Sequence, residues 1–106
     1  MSSIDNTALA ALGVREAAAR LRAGEITATA LVEACLVKVR ALDPTLAAWA
    51  HVDADGARAA ARAIDAAPSS EARGALRGVP VGIKDIFHVQ GMPTTSGDPL
   101  NQTGGR

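Results

Sequence analysis

One stretch of the sequence, residues 74–97, constrains the fold more than any other. It predicts a turn, a short apolar strand at Val79–Ile83, a lysine (Lys84) where that strand ends, and a loop rich in glycine and threonine. Pro80 lacks an N–H and therefore suits a strand end or a sheet edge better than a central strand. A sheet of fewer than three strands is marginal in water. The stretch therefore predicts a sheet whose other strands come from elsewhere.

Two helices are predicted ahead of this stretch, joined as a helical hairpin. Residues 8–23 carry apolar side chains at helical spacing, and Gly24 suits the left-handed position that follows a helix end. Thr27 is predicted to cap the second helix. That helix should end before Pro44, because the residue preceding a proline is pushed out of the helical region. Its predicted apolar face consists of Val32, Cys35, Leu36 and Val39.

A third helix and one extended segment complete the predicted elements. Residues 46–52 alternate weakly in polarity and predict a short extended segment. Asp53 is predicted to cap a helix that can approach a neighbour closely, because its apolar face is small. This face consists of Ala57, Ala60, Ala61 and Ile64. Three helices and one or two strands predict an α/β fold that is incomplete within these residues.

Composition limits the kinds of function that the chain can have. Its 106 residues suit one small domain, and a formal net charge of zero gives no sign of a nucleic-acid or anionic-membrane surface. Cys35 is the single cysteine, which predicts a reducing compartment and a small apolar role for its thiol. No signal peptide or membrane span is predicted. His51 and His88 lack partners at metal-ligand spacing. We therefore expect a cytoplasmic protein.

Within residues 74–97, Lys84 and Asp85 follow a Gly-Val-Pro element at 78–80 and precede a Gly-Met-Pro-Thr-Thr element at 91–95. This order resembles the signature region of the amidase signature family of amide hydrolases. Two residues depart from the usual pattern: Ile86 stands where many members have asparagine, and Asp98 where they commonly have serine. Weaker likeness extends upstream, so the resemblance covers about residues 14–97. The signature residues that match are Gly74, Leu76, Gly78, Val79, Pro80, Val81, Ile83, Lys84 and Asp85, then Gly91, Met92, Pro93, Thr94, Thr95 and Gly97.

The resemblance implies a fold and an activity. Members are several times longer and wrap helices around a large mixed sheet, so we expect residues 1–106 to be the amino-terminal part of one amidase domain, from a partial or interrupted reading frame. Members hydrolyse amides with a serine nucleophile, a second serine on a cis peptide bond and a lysine, and need no cofactor or metal. The lysine is Lys84 by resemblance. The catalytic serines have no matching positions here, which predicts that the chain alone is inactive.

The chemistry makes a physical demand on this lysine. A free lysine has a pKa of about 10.4, and a lysine base that works near neutral pH needs a pKa lower by roughly 3, which corresponds to about 4 kcal/mol of unfavourable surroundings for an ammonium group. Burial is one way to provide such surroundings. We therefore expect Lys84 to be buried at the end of the predicted strand. Without the motif, a lysine at a strand end is more often solvated or ion-paired.

Several functional alternatives remain open at this point. The expected partner is a small-molecule amide, with no direct nucleic-acid or membrane contact, and a homodimer is one assembly open to the complete protein. Within the family, the amidase subunit of a tRNA-dependent amidotransferase is the close alternative. A non-enzymatic remnant that binds a partner through exposed helix faces is the alternative from another class. Residues 91–97 suit either a substrate-side loop or a surface turn.

Overall fold

A computed structural model describes residues 6–67, 74–84, 87, 89–94 and 103–105. Four helices and one two-stranded antiparallel sheet make up the regular structure of these residues, so the predicted α/β character is met in part. Met92 lies opposite Gly105, and Thr94 lies opposite Thr103. The elements are α1 (Asn6–Ala10), α2 (Val14–Arg22), α3 (Ala28–Leu46), α4 (Ala54–Ala66), β1 (Met92–Thr94) and β2 (Thr103–Gly105).

The first predicted helix is two helices, so the prediction of one helix over residues 8–23 was wrong. The chain leaves α1 after Ala10, and Gly13 has extended backbone angles (φ −70°, ψ 163°) as the residue that caps α2. The break lets α1 fold back onto α3, where Leu9 is buried in the core. Burial of this leucine favours the break over a continuous helix. The prediction missed the break because apolar periodicity in a sequence does not show where the chain changes direction.

The predicted helix caps are confirmed. Gly24 has φ +74°, and its N–H donates to the carbonyl of Leu21 at 3.2 Å, as expected for a glycine that follows a helix end. Thr27 accepts a hydrogen bond from the N–H of Ala30 at 3.0 Å, and Asp53 closes the first turn of α4 in the same way. These caps rest on contacts within four residues, which is why local sequence predicts them.

The second predicted helix continues through Pro44, so the prediction that it ends earlier was wrong. Pro44 lies in the last turn of α3, where its missing N–H removes one intrahelical hydrogen bond and disturbs no later turn. Asp43 stabilises the end of the helix in another way. Its Oδ1 accepts hydrogen bonds from the N–H of Ala48 at 2.7 Å and of Trp49 at 3.1 Å. The helix then ends at Ala47, whose φ of 50° and ψ of 41° are left-handed.

Neither predicted extended segment forms a strand. The prediction of a strand at Val79–Ile83 was wrong, and the apolar side chains at its end are uncovered, since Val81 is 72% exposed and Ile83 is 53% exposed. An extended segment becomes a strand when a neighbour provides ladder hydrogen bonds. Within the described residues, no neighbour provides them to residues 79–84. Residues 47–52 are likewise non-helical, and the described part of the chain offers them no strand partner.

The core is built of small side chains around α3, the central helix. α1 packs against one part of α3 and α4 packs against another, whereas α2 reaches the core chiefly through Ala17 and Leu21. The two helices predicted ahead of the signature segment therefore do not pair as a hairpin. Instead, α1 and α4 flank α3. The predicted small face of α4 is confirmed for three of its four residues, since Ala61 is buried against Ala28 and Val32 with Ala57 and Ile64 beside it, whereas Ala60 is exposed.

A carboxylate on α4 ties that helix to the beginning of α3. Asp65 accepts hydrogen bonds from the N–H of Ala28 at 2.8 Å and the N–H of Thr29 at 2.9 Å, and the Thr29 hydroxyl also donates to it. Partial burial of Asp65 opposes its ionisation, but these hydrogen bonds outweigh that effect and hold its pKa below the usual value. An ion pair between Arg58 and Glu33 joins the same two helices.

Candidate functional site

Residues 74–84, the signature segment, are anchored to the helices by arginine side chains. Arg77 donates from Nη2 to the carbonyl of Ile64 at 3.2 Å, at the end of α4. Arg22 donates from Nη1 to the carbonyl of Ala75 at 3.2 Å, from the end of α2. Both contacts hold the turn that begins the segment. The segment therefore leaves the helical core at a defined place.

Gly78 provides a third anchor through close packing. Its φ of +90° is a conformation that side chains other than glycine rarely adopt. A methyl group built on Gly78 would lie 3.2 Å from Cδ1 of Leu21 and 3.3 Å from Cβ of Ala28. The signature glycine therefore permits both the turn and the close approach to α2 and α3.

Lys84 lies at the far end of the signature segment and is exposed to solvent. The expectation of a buried lysine is therefore wrong for this structure. Its carbonyl accepts a hydrogen bond from the N–H of Phe87 at 3.1 Å, which turns the chain just after the lysine. The physical reason for the exposure is that Val81 and Ile83, which precede the lysine, are themselves uncovered.

A groove of about 710 Å³ brings the signature segment together with the residues that follow α3. Most of its lining is apolar, and Lys84 and His51 are its charged or titratable members. The exposed faces of Trp49 and Phe87 contribute aromatic surface. A groove of this size suits a small organic ligand. The other lining residues are Ala47, Ala48, Ala50, Val81, Gly82, Ile83, Val89, Met92 and Pro93.

Two residues of this groove were missed or differently assigned by sequence reasoning. Trp49 received no role, and His51 was set aside because it lacks partners at metal-ligand spacing, although it is exposed and lines the groove. The two residues lie more than thirty positions before Lys84, so no local spacing connects them with the lysine. The chain's single tryptophan was the available signal.

Cys35 is half-buried against the core, and burial raises the pKa of its thiol while nearby Lys38 opposes the rise, in agreement with its predicted apolar role. The part of the chain that the structure describes contains no group of side chains suited to a metal ion and no helix long and apolar enough to span a bilayer. The residues outside the description include Ser69, Ser70, Asp85, Ile86, His88, Thr95, Ser96, Gly97 and Asp98.

Comparison with known proteins identifies relatives over most of this chain. The chain is 52% identical over 93 residues to a glutamyl-tRNA(Gln) amidotransferase subunit from Anaeromyxobacter sp. strain K, and this match covers 87% of the chain and 19% of the relative. It is 46% identical over 95 residues to the corresponding protein of Chloroflexus aurantiacus strain J-10-fl, covering 89% of this chain and 20% of that protein. It is 38% identical over 96 residues to an amidase of Pseudomonas putida, covering 91% and 21%.

These matches cover most of this chain but only a small part of each relative. The chain spans about a fifth of the length of these curated relatives. No solved structure matches the chain significantly. The sequence model of the family described as Amidase matches residues 30–103, which include most of α3, α4 and the whole signature segment. The chain therefore belongs to the amidase family.

Proposed function

We propose that the chain contributes the lysine of an amide-hydrolysing active site, and that Lys84 is that lysine. The observation that carries the proposal is the signature segment itself, whose lysine lies in an amidase-family match and lines a groove of about 710 Å³. Lys84 and Lys38 are the two lysines of the sequence, and Lys38 lies on α3 outside the signature.

The reaction follows from the role of the lysine in the signature. An uncharged lysine accepts the proton of a bridging serine hydroxyl, which in turn accepts the proton of the nucleophilic serine as that oxygen attacks the amide carbonyl. The C–N bond breaks, ammonia or an amine leaves with a proton, and water then hydrolyses the acyl-enzyme to a carboxylate. The two serines belong to sequence that has no match in these residues, so the chain by itself should be inactive.

The structure sets one condition on this role. An exposed lysine is predominantly protonated at neutral pH and is then a poor base. Apolar cover over Val81, Ile83 and Phe87 would bury the end of the signature segment, and the same cover would disfavour the ammonium form of a lysine there. We therefore propose that catalysis requires polypeptide packed over this groove.

The test uses a chimera in which this chain replaces the 96 matched residues of the Pseudomonas putida amidase. Amide turnover should fall by about 10²- to 10⁴-fold in Lys84→Ala, as is typical when a general base is lost. Lys38→Ala is the matched control, since it removes the other exposed lysine and should leave turnover unchanged. Equal turnover in Lys84→Ala and the parent chimera would remove the assignment.

A second candidate is the amidase subunit of a tRNA-dependent amidotransferase. It is favoured by the 52% identity to the Anaeromyxobacter amidotransferase protein, which exceeds the 38% identity to the Pseudomonas putida amidase. The two candidates differ in the amide that supplies the ammonia. An equivalent chimera with the Anaeromyxobacter protein and its partner subunits should release ammonia from glutamine under the second candidate, and simple carboxamides should be hydrolysed in preference under the first.

A further inference from the structure

The indole ring of Trp49 lies against Gly82, two residues before Lys84. A methyl group built on Gly82 would stand 2.8 Å from Cη2 and 3.2 Å from Cζ3 of the ring, closer than a real side chain tolerates. The missing side chain of Gly82 is therefore what allows the ring to touch the backbone of the signature segment. This contact joins the loop after α3 to the end of the segment that bears the lysine.

The backbone of Trp49 is itself fixed by the end of α3. Asp43 Oδ1 accepts hydrogen bonds from the N–H groups of Ala48 at 2.7 Å and Trp49 at 3.1 Å. Ala47, which precedes them, adopts the left-handed conformation and donates to the Asp43 carbonyl at 2.6 Å. The ring is thus carried by a helix end whose backbone is hydrogen-bonded to Asp43.

The signature segment is then held at two glycines four residues apart. Gly78 packs on Leu21 and Ala28 at one end, and Gly82 packs on Trp49 at the other. Between them, the described residues form no sheet ladder that could hold the segment in place. Together with the arginine contacts at the start of the segment, packing at the two glycines therefore determines where Lys84 leaves the core.

We propose that Trp49 is a positioning residue for Lys84, bracing Gly82 so that the lysine is presented at a defined place in the groove. The catalytic meaning of this brace rests on the function proposed above, whereas the brace itself does not. Trp49 is 42% exposed, so its ring is not a core residue. The ring lines both the groove and a smaller cavity of about 260 Å³ beside Cys35.

The first measurement uses the 106-residue chain and its intrinsic fluorescence. Trp49 is the single tryptophan and the chain has no tyrosine, so the emission reports on this ring alone. Gly82→Ala should displace the ring, shift the emission to longer wavelength and increase quenching by acrylamide. Gly13→Ala is the matched control, because Gly13 has φ −70° and no atom of the described part of the chain lies within 4 Å of the added methyl group. Unchanged emission in Gly82→Ala would overturn the contact.

The second measurement separates positioning from general stability. Backbone ¹⁵N order parameters of Gly82, Ile83 and Lys84 should fall from about 0.85 to below about 0.6 in Trp49→Ala, with those of α2 to α4 unchanged. Trp49→Phe, which keeps a ring, should restore them. Order parameters that stay high at residues 82–84, or that fall equally in the helices, would overturn the proposal. Circular dichroism of each variant verifies that the helices are formed.

Activity then distinguishes this proposal from the one on which it rests. In the Pseudomonas putida chimera, Trp49→Ala should lower kcat roughly 10- to 100-fold with KM nearly unchanged, and Trp49→Phe should recover most of it. If kcat in Trp49→Ala equals that of the parent chimera while Lys84→Ala is inactive, the positioning role of Trp49 fails. If Lys84→Ala is active while the order parameters behave as expected, the proposed function fails and the brace stands.

Discussion

The helical core and the signature segment are each stabilised by a different kind of interaction. The core consists of regular helices with their own hydrogen bonds, caps at Thr27 and Asp53, and side chains as deeply buried as Leu31 at 3% exposure. The signature segment has no ladder in the described structure and depends on two arginine contacts and two glycines.

The comparison shows that the best recognised part of the sequence is the least self-sufficient part of the structure. Ile83 and Phe87 are more than half exposed beside Lys84, whereas the core residues around α3 are covered. Burial of apolar surface is the main source of folding stability. The signature residues are therefore recognisable in the sequence, although this chain does not stabilise them by burial. Four sets of variants test this difference.

The largest expected effect comes from opening the helical core. Leu31→Ala removes a leucine that is 3% exposed, and such a change typically costs about 3 kcal/mol of unfolding free energy. Leu76→Ala in the signature segment, where leucine is 53% exposed, should cost less than about 0.5 kcal/mol. Urea denaturation followed by circular dichroism measures both. Equal losses would mean that Leu76 is as well packed as Leu31, contrary to the comparison.

A smaller effect is expected at the glycine that anchors the signature segment. Gly78→Ala should cost about 2 kcal/mol, because it combines a left-handed φ with crowding against Leu21 and Ala28. Gly74 has φ +78°, and among the described residues no atom lies within 4 Å of a methyl group added there, so Gly74→Ala should cost about 1 kcal/mol. The difference between the two urea midpoints isolates the packing contribution. If both variants lose the same stability, close packing does not hold the segment.

The link between α4 and α3 should depend on pH. Because the pKa of Asp65 is lowered on folding, its ionised form stabilises the fold above the unfolded pKa of about 3.9. That stabilisation should be lost as the pH falls further through the lowered folded pKa. Asp65→Asn should cost about 1 kcal/mol at pH 7, as for other capping residues, and should flatten the stability profile between about pH 5 and 2. If the acid transition of Asp65→Asn is equally steep, other carboxylates cause the loss of stability in acid.

The smallest effect should be a gain in stability at the end of α3. Ala47 has φ 50°, and relieving a left-handed alanine offsets the extra chain entropy of glycine, so Ala47→Gly should stabilise the fold by about 0.5 kcal/mol. Ala48→Gly is the adjacent control and should destabilise slightly, since Ala48 is not in the left-handed region. A thermal melt resolves the sign. Destabilisation by Ala47→Gly would show that the helix end is not strained.

Sequence reasoning succeeded where the signal and its structural effect lie close together in the chain. Gly24, Thr27 and Asp53 act on groups within a few residues, and all three were predicted. It failed at Pro44 and at the break after Ala10, because a proline in a last turn and a buried leucine on a short helix are settled by packing. The predicted strand failed for the same reason, since a strand requires a partner.

By itself, the sequence determined the helix caps, the small-residue face of α4 and, through the signature, membership of the amidase family. Tertiary structure alone decided that Asp65 caps α3 from 36 and 37 residues away and that Trp49 meets Gly82. Local signals act through the backbone torsions of neighbouring residues and so can be read in order along the chain. Contacts between distant residues depend on how whole helices pack, and the packing at Gly82 determines where Lys84 is presented.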